Sequence, residues 1–174
     1  VTDILNKKDV FVQMPTGSGK SLCYQIPAII QEGLTIVVSP LISLMKDQVD
    51  GLKQNGIKAE FLNSTLNYSE QNEIINRLKE NKIKILYIAP ERLVQENFIQ
   101  LIKEIQVSLF AIDESHCISQ WGHDFRPEYR QLNILRDKFP QIPIVALTAT
   151  ATHRVRKDIV HQLKLQSTSE YIAS

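Results

Sequence analysis

The sequence predicts an α/β domain with a mostly parallel sheet and helices on both of its faces. Three observations carry that prediction. Short apolar runs rich in β-branched residues recur along the chain, as strands covered on both faces require. Segments with helical spacing separate them. The unusual polar clusters each come directly after an apolar run, where open parallel sheets bind ligands.

In chain order, Val10–Gln13 reads as the first strand and leads into a glycine-rich turn and the start of a helix. Thr35–Val38 is the second strand, and Leu41, Leu44, Met45, Val49 and Leu52 then recur on one helical face. Lys58–Leu62 is followed by helical spacing at Ile74, Ile75 and Leu78, and Ile83–Ile88 is the next strand. Leu109–Ile112 precedes a segment without periodicity, after which Tyr129, Leu132, Leu135 and Phe139 return to helical spacing. Ile144–Leu147 and the helical set Val155, Ile159 and Leu163 complete the pattern. The stretch from Gln166 to Ser174 is polar apart from Tyr171 and Ile172, and reads as a further strand or as the start of a linker.

A length of 174 residues, 43% of them hydrophobic and 22% charged, suits one soluble domain with a single well-buried core. No apolar run reaches the roughly 18 residues that span a bilayer, and Val1–Asp9 has no secretory character. Cys23 and Cys117 lie far apart and match neither a disulfide framework nor a zinc pattern, which fits a reducing, intracellular compartment. The net charge of +1 excludes a globally basic nucleic-acid module, so any such contact must be a local surface.

Met14-Pro15-Thr16-Gly17-Ser18-Gly19-Lys20-Ser21 has the chemistry of a P-loop. Backbone N–H groups wrap phosphates, Lys20 reaches the outer phosphates and the Ser21 hydroxyl ligates Mg²⁺. The strict pattern has Gly where this chain has Met14, so the reading needs a second motif. Asp113-Glu114 supplies it, two adjacent carboxylates at the end of an apolar strand. An acid there holds Mg²⁺ opposite the Ser21 hydroxyl, and its neighbour orients or deprotonates the attacking water. Together they predict ATP and Mg²⁺ as cofactors and Lys20, Asp113 and Glu114 as catalytic.

With these motifs the chain resembles the first RecA-like lobe of RecQ-family DNA helicases, in superfamily 2. The matching segments are Met14–Ile26 (motif I), Val38–Leu52 (Ia), Tyr87–Leu93 (Ib), Asp113–Tyr129 (II and its extension) and Ala146–Thr152 (III). The resemblance implies a RecA-like P-loop NTPase fold over residues 1–165, with 166–174 leading to a second lobe. It implies an ATP-dependent 3′–5′ DNA helicase acting on single-stranded DNA and duplex junctions, cytoplasmic, with the nucleoid in a prokaryote or the nucleus in a eukaryote as its site. Met14 is usual at its position in that family.

Gln120, Trp121, His123, Phe125 and Arg126 fall in the segment without periodicity. Its aromatics can stack on unpaired bases or anchor the loop to the core. The resemblance implies a loop that senses single-stranded DNA and couples it to hydrolysis. It also implies DNA contacts at Ser39, Pro40 and Lys46 and at Glu91 and Arg92. Capping by Ser39 and Ser43 and a solvated Lys46 are the plain alternatives. Thr148 and Thr150 would link the nucleotide site to the DNA face, with His116 as a coupling residue; from the residues alone they read as a strand end and a helix cap.

The family's adenine-recognising Gln lies upstream of motif I, where only 19 residues precede Lys20 here and Gln13 lies on a strand. The second lobe, which supplies arginine fingers, has no counterpart after Thr152. The chain is therefore expected to be a fragment, largely inactive by itself.

Overall fold

A computed structural model describes residues 1–173. Seven strands form one sheet: β1 (Val10–Gln13), β2 (Leu34–Val38), β3 (Ala59–Leu62), β4 (Ile85–Ile88), β5 (Val107–Ile112), β6 (Ile144–Thr148) and β7 (Ser169–Ile172). Their order across the sheet is β3-β4-β2-β5-β6-β1-β7, and every pairing is parallel. The helices are α1 (Thr2–Leu5), α2 (Leu22–Ile30), α3 (Ile42–Gln54), α4 (Tyr68–Lys79), α5 (Pro90–Leu93), α6 (Glu96–Lys103), α7 (Ile134–Lys138) and α8 (His153–Gln162).

Alternation along each strand feeds two cores. Val10 and Val12 face one side of the sheet and Phe11 the other; Leu109 and Ala111 oppose Phe110 and Ile112 in the same way. One core is closed by Tyr24 and Ala28 of α2 and Met45, Val49 and Leu52 of α3. The second takes Ile74 and Leu78 of α4, Phe98, Ile99 and Ile102 of α6, and Val155 and Ile159 of α8. Both faces are apolar, so the strands read as continuous hydrophobic runs rather than as polar/apolar alternation.

Where helical spacing was expected over Tyr129–Phe139, the chain forms a 3₁₀ helix over Pro127–Asn133 and then the short α7. The reason lies in the spacing: Tyr129, Leu132 and Leu135 are three apart, and side chains at i and i+3 eclipse in a 3₁₀ helix. Of the two readings of the C-terminal stretch, the structure takes the strand. Ser169–Ile172 pairs with β1, and Ala173 N–H donates to the Gln13 carbonyl at 2.8 Å.

Asp9 stitches the start of the sheet together. Its carboxylate accepts from Ile144 N–H at 2.9 Å and from Gln166 N–H at 2.7 Å, and it pairs with the buried Arg136. Arg136 also reaches the carbonyls of Pro140 and Lys164.

The polar clusters Met14–Ser21, Ser39-Pro40, Ala89–Arg92, Asp113–His116 and Thr148–Thr150 emerge from the carboxyl ends of β1, β2, β4, β5 and β6, on one edge of the sheet. Only β6 separates β1 from β5, which puts the glycine-rich turn and Asp113 two strand spacings apart, about 10 Å.

Candidate functional site

The glycine-rich turn is shaped by two left-handed residues, Gly17 and Gly19, both at φ +81°. Met14 has no positive φ. Its N–H donates to the Thr148 carbonyl at 3.1 Å, and its sulfur lies 3.9 Å from that of Cys23 on α2. Met14 thus packs inward, and no glycine is needed at that position. The N–H of Ser18 is used within the turn, donating to the Pro15 carbonyl at 3.2 Å. Those of Gly17, Gly19, Lys20 and Ser21 find no protein acceptor among the described residues. Unpaired N–H groups where a turn enters a helix form an anion site, so the turn fits a phosphate chain.

A cavity of ≈ 240 Å³ joins this turn to the other clusters. Thr16, Gly17, Gly19, Lys20 and Ser21 line it with Asp113, Glu114 and Ser39, and with Tyr24, Tyr87 and Gln48. Asp113 sits just past β5, its carboxylate accepting from the Glu114 N–H at 3.0 Å. Burial foremost, and then the charge of Glu114, push its pKa up to about 6, while Lys20 pulls the other way. Two carboxylates crowded against one lysine form an acid-rich donor set that a divalent cation would relieve. Glu114 itself is held in the left-handed region at φ 50°, ψ 44°, which costs a non-glycine residue on the order of 1 kcal/mol.

The next segment, a 3₁₀ turn over Ser115–Ile118, buries His116. Its Nδ1 lies 2.8 Å from Thr148 Oγ1 and 3.4 Å from Glu114 Oε2. Thr148 spends its single hydroxyl proton on the Thr150 carbonyl at 3.1 Å, so His116 Nδ1 must carry the proton toward Thr148. Burial lowers the His116 pKa, which favours the neutral ring, with Glu114 opposing. The His123 ring stacks on it at 4.2 Å. The Tyr129 hydroxyl donates to the Asp113 carbonyl at 3.0 Å and fixes the loop from below.

A second groove, ≈ 440 Å³, opens beside the first. Gln13, Trp121, Gly122, His123, Thr150 and Thr152 line it with Ala151 and Val155. Trp121 is 56% exposed, and Arg154 lies 3.3 Å above its ring. Phe125 is half-buried beneath Arg130, so the loop both anchors itself and offers an aromatic face. Gly122 cannot be replaced freely, because a Cβ there would meet the His116 carbonyl at 2.6 Å. Gln120 is exposed, and Arg126 pairs with Asp124 at 3.3 Å. His116, Cys117 and Asp124 bring ligand atoms within 4.8 Å of one another, but Asp124 is engaged by Arg126 and His116 Nδ1 by Thr148.

Of the remaining residues expected at the site, Ser39 and Thr150 line the two cavities, and Pro40, Lys46, Glu91 and Arg92 do not. Ser39 Oγ accepts from Leu41 N–H at 3.2 Å, bracing the turn; the helix itself starts from Leu41 with no side-chain cap, so capping by Ser39 or Ser43 is corrected. Pro40 is half-buried at that turn. Lys46 is exposed and pairs with Asp50 at 2.7 Å. Glu91 is exposed, while Arg92 bonds Gln95 and lies over the Phe98 ring. Thr150 is exposed at the groove.

Sequence reading missed Tyr24, Tyr87 and Arg154. Tyr24 stands one helical turn beyond Lys20, and Tyr87 is the one polar side chain in an apolar strand. Those were the available signals.

The model of the DEAD/DEAH box helicase family matches residues 1–159. The chain belongs to this family. It is 58% identical over 96% of its length to the ATP-dependent DNA helicase RecQ of Pasteurella multocida, covering 26% of that protein. Identity to the protein of the same name in Bacillus subtilis is also 58%, over 88% of this chain and 26% of that one. The chain thus spans about a quarter of the length of these relatives. Among solved structures, the DEAD-box helicase Mss116 bound to ssRNA and UDP-BeF aligns over 99% of this chain and 38% of its own, at a TM-score of 0.76 and 16% identity. A hypothetical ATP-dependent RNA helicase from Sulfolobus tokodaii aligns over 99% of this chain and 50% of its own, at 0.74 and 22%. At such identities the likeness concerns the fold, which is RecA-like. Among the described residues no helix is long and apolar enough to cross a membrane.

Proposed function

We propose that this chain is the ATP-binding lobe of a RecQ-like helicase that couples ATP hydrolysis to 3′–5′ movement on single-stranded DNA and to duplex unwinding. The observation that carries the reading is a continuous polar path. Lys20, Asp113 and Glu114 share one cavity, and His116 and Thr148 lead from Glu114 to the groove of Trp121 and Thr150.

The unpaired N–H groups of the turn hold the phosphates, and Lys20 sets its charge against the outermost one. Ser21 and Asp113 are the residues that would hold Mg²⁺, which when bound supplies charge neutralisation to the phosphates. Glu114, in the same cavity, accepts the proton of the attacking water. Trp121 stacks on an unpaired base, and Arg154 adds positive charge beside it. A second RecA-like lobe contributes arginine fingers, worth roughly 10³–10⁵ in rate in related systems, and a lobe without them is nearly inactive.

The test uses the full-length protein. ATP hydrolysis is measured with single-stranded DNA, with single-stranded RNA and with neither, alongside unwinding of a duplex with a 3′ tail. Stimulation by DNA and unwinding from the 3′ tail support the proposal. Stimulation by RNA alone, or no hydrolysis with DNA, overturns it.

A further inference from the structure

Two tyrosines sit in the wall of the phosphate cavity and have no place in the scheme above. Tyr24 lies on α2, and Tyr87 occupies β4 just before the Ala89–Arg92 cluster. Both are 2% exposed, yet both line the cavity with Lys20, Ser21 and Asp113. Their hydroxyl oxygens are 2.9 Å apart, and their rings meet edge to face at 6.2 Å.

The hydrogen bonds can be counted. Two phenols bring two O–H protons, and their mutual bond uses one. Gln25 Nε2 also approaches Tyr87 Oη, at 3.4 Å, but it adds a donor rather than an acceptor. No other side chain or backbone group among the described residues accepts from either hydroxyl. One phenolic proton is therefore left over in a nearly buried place, where an unmade hydrogen bond is costly.

We propose that Tyr24 and Tyr87 form a positioning pair that directs its surplus hydroxyl hydrogen bond into the metal side of the phosphate cavity, to a water lying between the pair and the Asp113 side. Phe at either position would fill the same apolar space, so packing alone does not explain two hydroxyls here. Burial foremost holds both phenols above their usual range, with Tyr87 and then the Asp113 charge adding to it at Tyr24, so they keep their protons at any working pH. The pair also ties the helix that begins at the phosphate turn to the strand that ends at the Glu91-Arg92 cluster, so it spans the two sides that the proposed cycle must coordinate.

The inference rests on the nucleotide-binding reading, and the experiment separates the two. In the full-length protein, Mn²⁺ binding in the presence of ADP is followed by the electron paramagnetic resonance of free Mn²⁺. ADP binding without metal and the thermal melting curve are recorded alongside. The Tyr24→Phe/Tyr87→Phe double variant is expected to bind Mn²⁺ about fivefold more weakly, the effect of one net hydrogen bond of about 1 kcal/mol, with metal-free ADP binding unchanged. Each single variant still carries one phenolic proton, no longer spent on a mutual bond, so both singles are expected to bind Mn²⁺ within about twofold of wild type. Wild-type Mn²⁺ affinity in the double variant overturns the pair; if that variant does not fold, Tyr24→Phe/Tyr87→Met takes its place with the same criterion, and a fivefold loss in each single variant overturns the count of one surplus proton. A wild-type protein that binds ADP no better than its Lys20→Ala variant overturns the nucleotide reading instead.

Discussion

His116 Nδ1 and Thr148 Oγ1 are 2.8 Å apart, and this bond joins the loop after β5 to the end of β6. Both side chains are buried; Thr148 donates to the Thr150 carbonyl, which leaves it to accept from His116, and the His116 ring stacks on His123. A change at Glu114, 3.4 Å away on the nucleotide side, meets a bond with one allowed donor and one allowed acceptor.

Thr148→Val removes the acceptor at nearly constant volume. With the full-length protein, ATP affinity should be unchanged, while the DNA-stimulated rate should fall about tenfold, the equivalent of one lost hydrogen bond of about 1.4 kcal/mol in the coupled state. Steady-state hydrolysis with and without DNA measures the ratio.

Trp121→Ala addresses the other end of the path. The indole is more than half exposed and carries Arg154 on one face, leaving the opposite face for a base. Losing a base stack of about 1–3 kcal/mol should weaken single-stranded DNA binding at least fivefold and lower DNA stimulation more than nucleotide affinity. Fluorescence anisotropy of a labelled oligonucleotide, with a nucleotide titration beside it, separates the two effects.

Asp9→Ala should cost stability rather than chemistry. It strips a buried Arg136 of its counter-charge and leaves two N–H groups without their acceptor. Breaking a buried pair on one side costs about 3–5 kcal/mol, which a denaturant titration would show.

Asp113 gives the metal-free protein a pH signature. Its pKa in the folded state, about 6, lies above the ordinary value of 3.8, so between those values the folded state binds more protons than the unfolded one. This group therefore adds stability as pH falls from about 6 toward 4 and withdraws it as pH rises. In metal-free buffer, Asp113→Asn should raise the melting temperature at pH 8 and narrow the difference between pH 5 and pH 8. An unchanged pH dependence would contradict the burial of that carboxylate.

Most of this architecture was legible in the sequence because both faces of the sheet are covered. Val10–Gln13 and Leu109–Ile112 read as strands without any alternation to interpret, and turns of unmistakable chemistry follow them. The edge strand Ser169–Ile172 was left open between two readings, since its side chains are largely exposed and its pairing with β1 is long-range. Helix α6 went unnoticed although Phe98, Ile99 and Ile102 bury one face of it, because eight residues give too few repeats to establish a period. At the site, Lys20, Ser21, Asp113 and Glu114 followed from local motifs. Tyr24 and Tyr87 did not, because 63 residues separate them and only the fold brings their hydroxyls together. Arg154 was hidden likewise, since a lone arginine on a helix reads as a solvated charge until Trp121 is found beneath it.

The most direct measurement is DNA-stimulated ATP hydrolysis by the full-length protein beside its Lys20→Ala variant. Wild type should hydrolyse ATP with single-stranded DNA present, and the variant should lose that activity while melting at the same temperature. Full activity in the variant would contradict the role given to the glycine-rich turn and, with it, the coupling of this site to DNA.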